Sequence, residues 1–228
     1  MGFSRGPNIV TDGLVLALDA GSKKSYPSSG NAWYDLSGGS SGTLTNGAVF
    51  DSTKGGSISL DGSNDYVSID DPRLEFGTGS FSVEAFAYLD SSVGNVYSGL
   101  FSSSTVSSDI GIHLTQRTAW IGNGSTIHSL GNNAIDNFSK DTWFHTTFTR
   151  SLDGLTITLY VDGTQRFSPA TIGSPVNINT TLGHIGQRYT DNSNYGSKGY
   201  IPFLRIYNRE LSQSEIQQNY NATKSRFI

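Results

Sequence analysis

Five turn-forming residues stand in a row, Asp61-Gly62-Ser63-Asn64-Asp65, inside the stretch SLDGSNDYVSI (59–69). Two are carboxylates and one is a carboxamide, so the run offers clustered hard oxygen donors. Calcium takes six to eight oxygens from side chains, backbone carbonyls and water, and loops supply them readily. Asp61, Asn64 and Asp65 would be ligands of a structural calcium ion, with Asp19, at the end of an earlier apolar run, as a distant fourth. The same residues have a plainer use. Asx side chains bond their own backbone amides and build turns without any metal. On either reading the stretch is a turn first.

A different chemistry is concentrated at 186–200, GQRYTDNSNYGSKGY. Sugars present CH faces that stack on aromatic rings, and hydroxyls that need directional partners. Arg188, Tyr189, Asp191, Asn192, Asn194 and Tyr195 supply both, and would line a shallow, exposed carbohydrate site. A second candidate is the polar face carrying Glu84, Phe86, Tyr88 and Tyr160. Those side chains could equally lie under a loop or against a neighbouring subunit.

Hydrolysis lacks its residues. Glycosidases need two opposed carboxyl groups, and the only glutamates are Glu75, Glu84, Glu210 and Glu215. Only Glu84 falls on a central strand, where its i+2 and i+4 neighbours are Phe86 and Tyr88. The four histidines (113, 128, 145 and 184) are scattered, with no His-Glu-x-x-His and no Gly-x-Ser-x-Gly. His145, beside Trp143 and Phe144, reads as a packed strand residue. No catalytic residue is assigned, and the chain is expected not to be an enzyme.

The elements that position these residues are strands. Residues 81–89, FSVEAFAYL, put Phe81, Val83, Ala85, Ala87 and Leu89 on one face, with Ser82, Glu84, Phe86 and Tyr88 on the other. Residues 155–161 alternate likewise, and Asp162-Gly163 follows at once as a hairpin signal. Further strands are expected near 13–19, 47–50, 57–60, 65–69, 97–103, 109–115, 118–121, 125–130, 142–150, 180–186 and 199–207. About a dozen short strands with regular turns mean an all-β, two-sheet antiparallel sandwich. One helix is expected, and it comes last. Ser212 and Glu215 form a capping box, and Leu211 with Ile216 a hydrophobic staple.

Composition bounds the rest. The 228 residues carry a formal net charge of −4 and only 15% charged residues, with no clustered basic face for nucleic acid. No apolar run approaches the ~20 residues of a membrane span. The N-terminus lacks a signal-peptide core, and Gly6 breaks a myristoylation pattern. The absence of cysteine excludes disulfides and thiolate chemistry and leans towards assembly in a cytoplasm. No linker divides the chain, which is expected to be a single domain over 1–228, with an extension at 1–46, a core at 47–220 and a tail at 221–228.

Four stretches in register carry a family likeness. LDGSNDYVSI (60–69), GSFSVEAFAYLD (79–90), DTWFHTTFTRSLDGLTITLYVDGT (141–164), and LGHIGQR through GYIPFLRIYNRELSQSEIQQNY (182–220) resemble the laminin-G-like, concanavalin A-like jelly roll. The resemblance implies a jelly-roll sandwich that binds rather than cleaves, and many such domains hold a structural calcium. This chain departs from the pattern at Ile201-Pro202-Phe203, where an acidic residue is usual. NIVTDGLVLALDAGSKKSYPSSGNAWYDLSG (8–38) resembles the opening of virion proteins of tailed, especially marine, bacteriophages. That likeness implies a virion protein assembled in a host cytoplasm, decorating the particle or attaching it to a host. Its partners would be other virion proteins or host surface glycans, and it could be a homo-oligomer. The alternatives are a free lectin-like module and a glycoside hydrolase of the same superfamily.

Overall fold

The computed structural model describes residues 8–92, 99–103, 110–115, 118–123, 126–131, 140–188 and 196–228. Seventeen strands occur among them. In chain order the first six are β1 (Leu14–Asp19), β2 (Ala32–Trp33), β3 (Gly42–Thr45), β4 (Val49–Asp51), β5 (Ser57–Asp61) and β6 (Tyr66–Asp70). Then come β7 (Phe81–Leu89), β8 (Gly99–Ser102), β9 (Ile110–Thr115), β10 (Ala119–Asn123), β11 (Ile127–Leu130) and β12 (Trp143–Arg150). The last are β13 (Thr156–Val161), β14 (Thr164–Gln165), β15 (Ala170–Thr171), β16 (Leu182–Ile185) and β17 (Lys198–Tyr207), followed by the helix α1 (Gln213–Thr223).

They form two antiparallel sheets. The first runs β14-β13-β12-β7-β17-β5-β4, with β1 also on β17 and β15 on β13; the second runs β11-β10-β9-β8-β16-β6-β3-β2. Period-two alternation explains the core. Phe81, Val83, Ala85, Ala87 and Leu89 of β7 point inward as expected, joined by Phe148, Ile157, Leu159, Leu204 and Ile206 from the same sheet. Val67, Ile69, Phe101, Ile112, Leu114, Ile121 and Ile185 close the core from the second sheet. Trp33 is fully buried while its neighbour Tyr34 is 47% exposed, so the pair splits across the surface.

Two local features follow from single residues. Asp162 and Gly163 both have positive φ, 50° and 78°, the geometry of a two-residue hairpin turn. Pro202 cannot donate to a ladder, and the β7–β17 register slips between Tyr200 and Phe203 to accommodate it. The proline therefore sits at a bulge in a strand that has neighbours on both sides.

Arg150 ends β12 fully buried, with Nε, Nη1 and Nη2 donating to the carbonyls of Gly79, Val176 and Gly77 at 2.6, 2.5 and 2.9 Å. Burial pushes the guanidinium down to about 10, which leaves it charged at neutral pH. α1 lies on the outer face of the first sheet. Leu211 and Ile216, the expected staple, are buried there with Tyr160 and Tyr207. No helix among the described residues is long and apolar enough to cross a membrane.

Candidate functional site: the outer faces of the two sheets

The turn between β5 and β6 is closed by its own carboxylates. Asp61 Oδ1 accepts the Ser63 amide at 2.7 Å, and Asp65 Oδ2 accepts the Asp61 amide at 3.0 Å. Asn46 Nδ2 donates to the backbone carbonyl of Asn64 at 3.0 Å and ties the preceding loop to the turn. Burial holds the Asp65 carboxyl above its ordinary range, and Asp65 Oδ1 is buried with no hydrogen-bond partner. Gly47, at φ +131°, lies against that oxygen, which a Cβ there would approach to 2.8 Å.

Asp19 is held elsewhere. It forms an ion pair with Arg226 at 2.8 Å and accepts the Gly21 amide at 3.0 Å. Along β17, Asp19 faces Phe203 and Asp61 faces Lys198, which separates them by about 15 Å at the rise of a strand. The structure thus gathers Asp61 and Asp65 and leaves Asp19 apart. Among the described residues no three acidic or histidine side chains form a metal cluster.

On the outer face of the first sheet, Glu84 is fully buried. Its Oε1 meets His145 Nε2 at 2.7 Å and Arg205 Nη1 at 3.1 Å, while Oε2 accepts Asn219 Nδ2 of α1 at 2.9 Å. Tyr207 Oη is 3.4 Å from Oε2 and also donates to the Val10 carbonyl at 3.1 Å. Burial works against ionising Glu84, but Arg205, with His145 and Asn219, outweighs it and holds the carboxyl below the ordinary range. Of the candidate face named from sequence, Glu84, Phe86 and Tyr160 are buried, and only Tyr88 is partly exposed. Glu84 joins helix to sheet and has no exposed surface.

Arg188 belongs to the outer face of the second sheet. Its guanidinium lies 4.5 Å above the Trp120 ring, which stacks on His113 at 4.7 Å; His113 Nδ1 is 3.1 Å from Ser102 Oγ. Register places these side chains in one row across the strands, Ser129-Trp120-His113-Ser102-His184-Ser68-Thr43. Trp120 Nε1 and His184 Nδ1 are buried in that row without a hydrogen-bond partner. Burial pushes the His184 imidazole down, towards its neutral form.

The residues flanking 189–195 are fixed to each other. Gln187 and Gly196 form a bridge, and the Ser197 amide donates to the Gly186 carbonyl at 2.8 Å. Gly196 packs against the 61–65 turn, where a Cβ would meet the Ser63 carbonyl at 2.6 Å. Tyr189, Asp191, Asn192, Asn194 and Tyr195 lie outside the described residues. Sequence reasoning named Arg188 for the density of its loop and did not name Trp120, His113 or His184 as site residues, which the fold brings into one row beside it. The missed signal was parity: alternation along 110–115 and 119–123 puts His113 and Trp120 on the face opposite Ile112, Leu114 and Ile121.

A family model described as Laminin_G_3, concanavalin A-like lectin/glucanases superfamily, matches residues 61–217. No curated protein matches the chain. Among solved structures, the botulinum neurotoxin serotype D binding domain is similar at a TM-score of 0.70 and 16% identity, covering 93% of this chain and 52% of that one. Domain 4 of AbnA, a GH43 extracellular arabinanase from Geobacillus stearothermophilus in complex with arabinotriose, gives 0.70 and 17%, covering 91% and 98%. The binding domain of botulinum neurotoxin DC in complex with SialylT gives 0.66 and 14%, covering 92% and 52%. The chain thus spans about half the length of the neurotoxin domains, and at these identities the likeness is one of fold.

Proposed function

The chain belongs to the concanavalin A-like lectin/glucanase superfamily, and from that premise we propose that it is a non-catalytic carbohydrate-binding protein. The observation that carries this reading is the polar row on the second sheet. Leaving a buried donor or acceptor unpaired costs about 1–3 kcal/mol, and Trp120 Nε1 and His184 Nδ1 are two such atoms in one row. A polyhydroxy ligand held by the 188–195 loop would reach that buried row once Arg188 moves off the Trp120 ring, and would then offer hydroxyls to the unpaired atoms and a CH face to the ring. Arabinotriose on the arabinanase domain and SialylT on the neurotoxin domain support the ligand class. On a glycan array, Arg188→Ala, Asn192→Ala and Tyr195→Ala should each abolish or sharply reduce the signal. Unchanged binding by all three would remove the loop from the site.

The finer proposal is a bacteriophage virion protein, for decoration or host adhesion, meeting other virion proteins and host surface glycans as a homo-oligomer. It rests on the opening stretch 8–38 and on the cysteine-free composition. Antibody labelling of purified particles should give signal on the particle surface, and sedimentation should give a mass above the monomer's; bare particles would end the virion reading. Hydrolysis is the competing reading. Release of reducing ends from polysaccharide by the purified chain would overturn the non-catalytic assignment.

Calcium stays within the proposal in reduced form. The turn could offer an ion the buried Asp65 Oδ1 together with Asp61 and Asn64, whereas Asp19 does not fit the same site because Arg226 holds it. If calcium binds, chelation should lower the melting temperature by several degrees. An unchanged melting curve would leave the turn as Asx chemistry alone.

A further inference from the structure

On the opposite sheet, three aromatic side chains stand in line on adjacent strands. Register pairs Trp143 of β12 with Tyr88 of β7, and Tyr88 with Tyr200 of β17. Ring centroids are 5.6 Å apart for Tyr88–Trp143 and 5.9 Å for Tyr88–Tyr200. Further along the same strands, Phe86 and Phe203 are fully buried. Phe227 stacks on Phe86 at 4.6 Å and reaches Trp143 at 4.7 Å, where the cover from the C-terminal segment stops. Trp143, Tyr88 and Tyr200 are left partly exposed.

A polar border follows at once. Two residues on from Tyr88 and two before Tyr200, Asp90 and Lys198 pair at 3.7 Å with side chains 37% and 39% exposed. Exposed Asp141 and Asp61 extend the border, and Lys54 Nζ lies 5.4 Å above the Tyr200 ring. We propose that the Trp143-Tyr88-Tyr200 row is a second carbohydrate contact, taking a neutral oligosaccharide laid across the three strands.

Three arguments choose this occupant. Aromatic faces edged by carboxylates and ammonium groups provide both kinds of contact a sugar needs. The bare patch is small, on the order of 150 Å² from strand spacing and rise, against about 800 Å² per partner for a stable protein interface. Asp61, Asp90 and Asp141 outnumber Lys54 and Lys198 by one, which favours a neutral sugar over an anionic one. The inference shares the ligand class of the loop proposal but none of its residues.

Amide chemical-shift mapping of the purified chain tests it, with maltohexaose, cellohexaose and xylohexaose at millimolar concentration and sialyllactose as the anionic control. At least one neutral hexaose should shift amides around 88, 143 and 200 saturably, and sialyllactose should not. Trp143→Ala and, at the edge of the row, Tyr200→Ala should each weaken that binding about tenfold or more, with spectra that stay dispersed as a check on folding. Arg188→Ala should leave these shifts intact, and a defect confined to the loop would concern the loop alone. The proposal fails if none of the three hexaoses shifts this row, or if both variants keep full affinity. It also fails if these amides shift with protein concentration in the absence of sugar, since the occupant would then be a second copy of the chain.

Discussion

Glu84 shows how one side chain in an alternating strand can mean two things. By sequence it is the one glutamate on a central strand; in the fold it is a buried anion neutralised by Arg205 and bonded by His145, Asn219 and Tyr207. Removing one member of a buried ion pair leaves the other charge stranded, at a cost of about 3–5 kcal/mol. Glu84→Gln should therefore lower stability to urea by about 3 kcal/mol at pH 7 without altering any sugar binding. The pH dependence has a definite sign. Glu84 titrates below its ordinary value in the folded protein, so its contribution is present above the unfolded pKa of about 4.3 and is lost as pH falls through the folded value. The gap between wild type and Glu84→Gln should narrow between pH 7 and pH 3. A gap that widens would mean that the carboxyl is protonated in the native state.

Arg150 is the complementary case, a buried cation with three carbonyl acceptors and no carboxylate among its hydrogen-bond partners. The planar guanidinium fork matches those acceptors, and a lysine ammonium would not reach all three. Arg150→Lys should cost about 1–3 kcal/mol in urea unfolding, with the loss traceable to the 77–79 and 176 segments by hydrogen exchange.

At the scale of elements, α1 is the part most completely written in local sequence. Ser212 Oγ accepts the Glu215 amide at 3.4 Å, and the Ser212 amide donates to Glu215 Oε2 at 2.8 Å. A hydrogen bond from Arg209, then the cap itself, take the Glu215 carboxyl down to about 2 against the pull of burial. Ser212→Ala should cost about 1 kcal/mol, read as a melting temperature lower by roughly 2–4 °C for a chain of this size. The strands with clear alternation, β1 and β7 among them, were equally legible, because core-facing apolar side chains repeat every two residues even where, as in β7, the other face is covered too. β2, β3 and β15 were not. β3 (Gly42–Thr45) follows a Gly/Ser run and offers one buried apolar side chain, Leu44, so only its pairing with β6 and β2 defines it. The candidate sites divide in the same way. The loop at 188–195 is dense in donors and rings over a short span, whereas Trp120, His113 and His184, like Trp143, Tyr88 and Tyr200, meet only through register between distant strands.

For the whole molecule the question is whether 1–228 folds as one unit, and the two ends of the chain bear on it. The Val10 amide donates to Asn219 Oδ1 at 2.8 Å, and Gln218 Nε2 donates to the Asn8 carbonyl at 2.7 Å. Arg226 spans Asp19 and the carbonyls of Gly55 and Gly56 at 2.9, 2.7 and 3.0 Å, tying the tail to β1 and to the loop before β5. Removing residues 212–228 would strip the cover from Glu84, His145 and Arg205 and bare Phe86 and Phe203, all buried in the full chain. A buried ion pair that becomes wet loses little, but exposed aromatic surface forfeits about 25 cal/mol per Å², and the N-terminal segment loses its anchor at the same time. The truncated chain should unfold at least 10 °C lower than the full chain and bind a hydrophobic dye in its native baseline. A truncated form with an unchanged melting temperature would mean that the sandwich stands without its clasp, and that the first and last segments are appendages on a smaller folding unit.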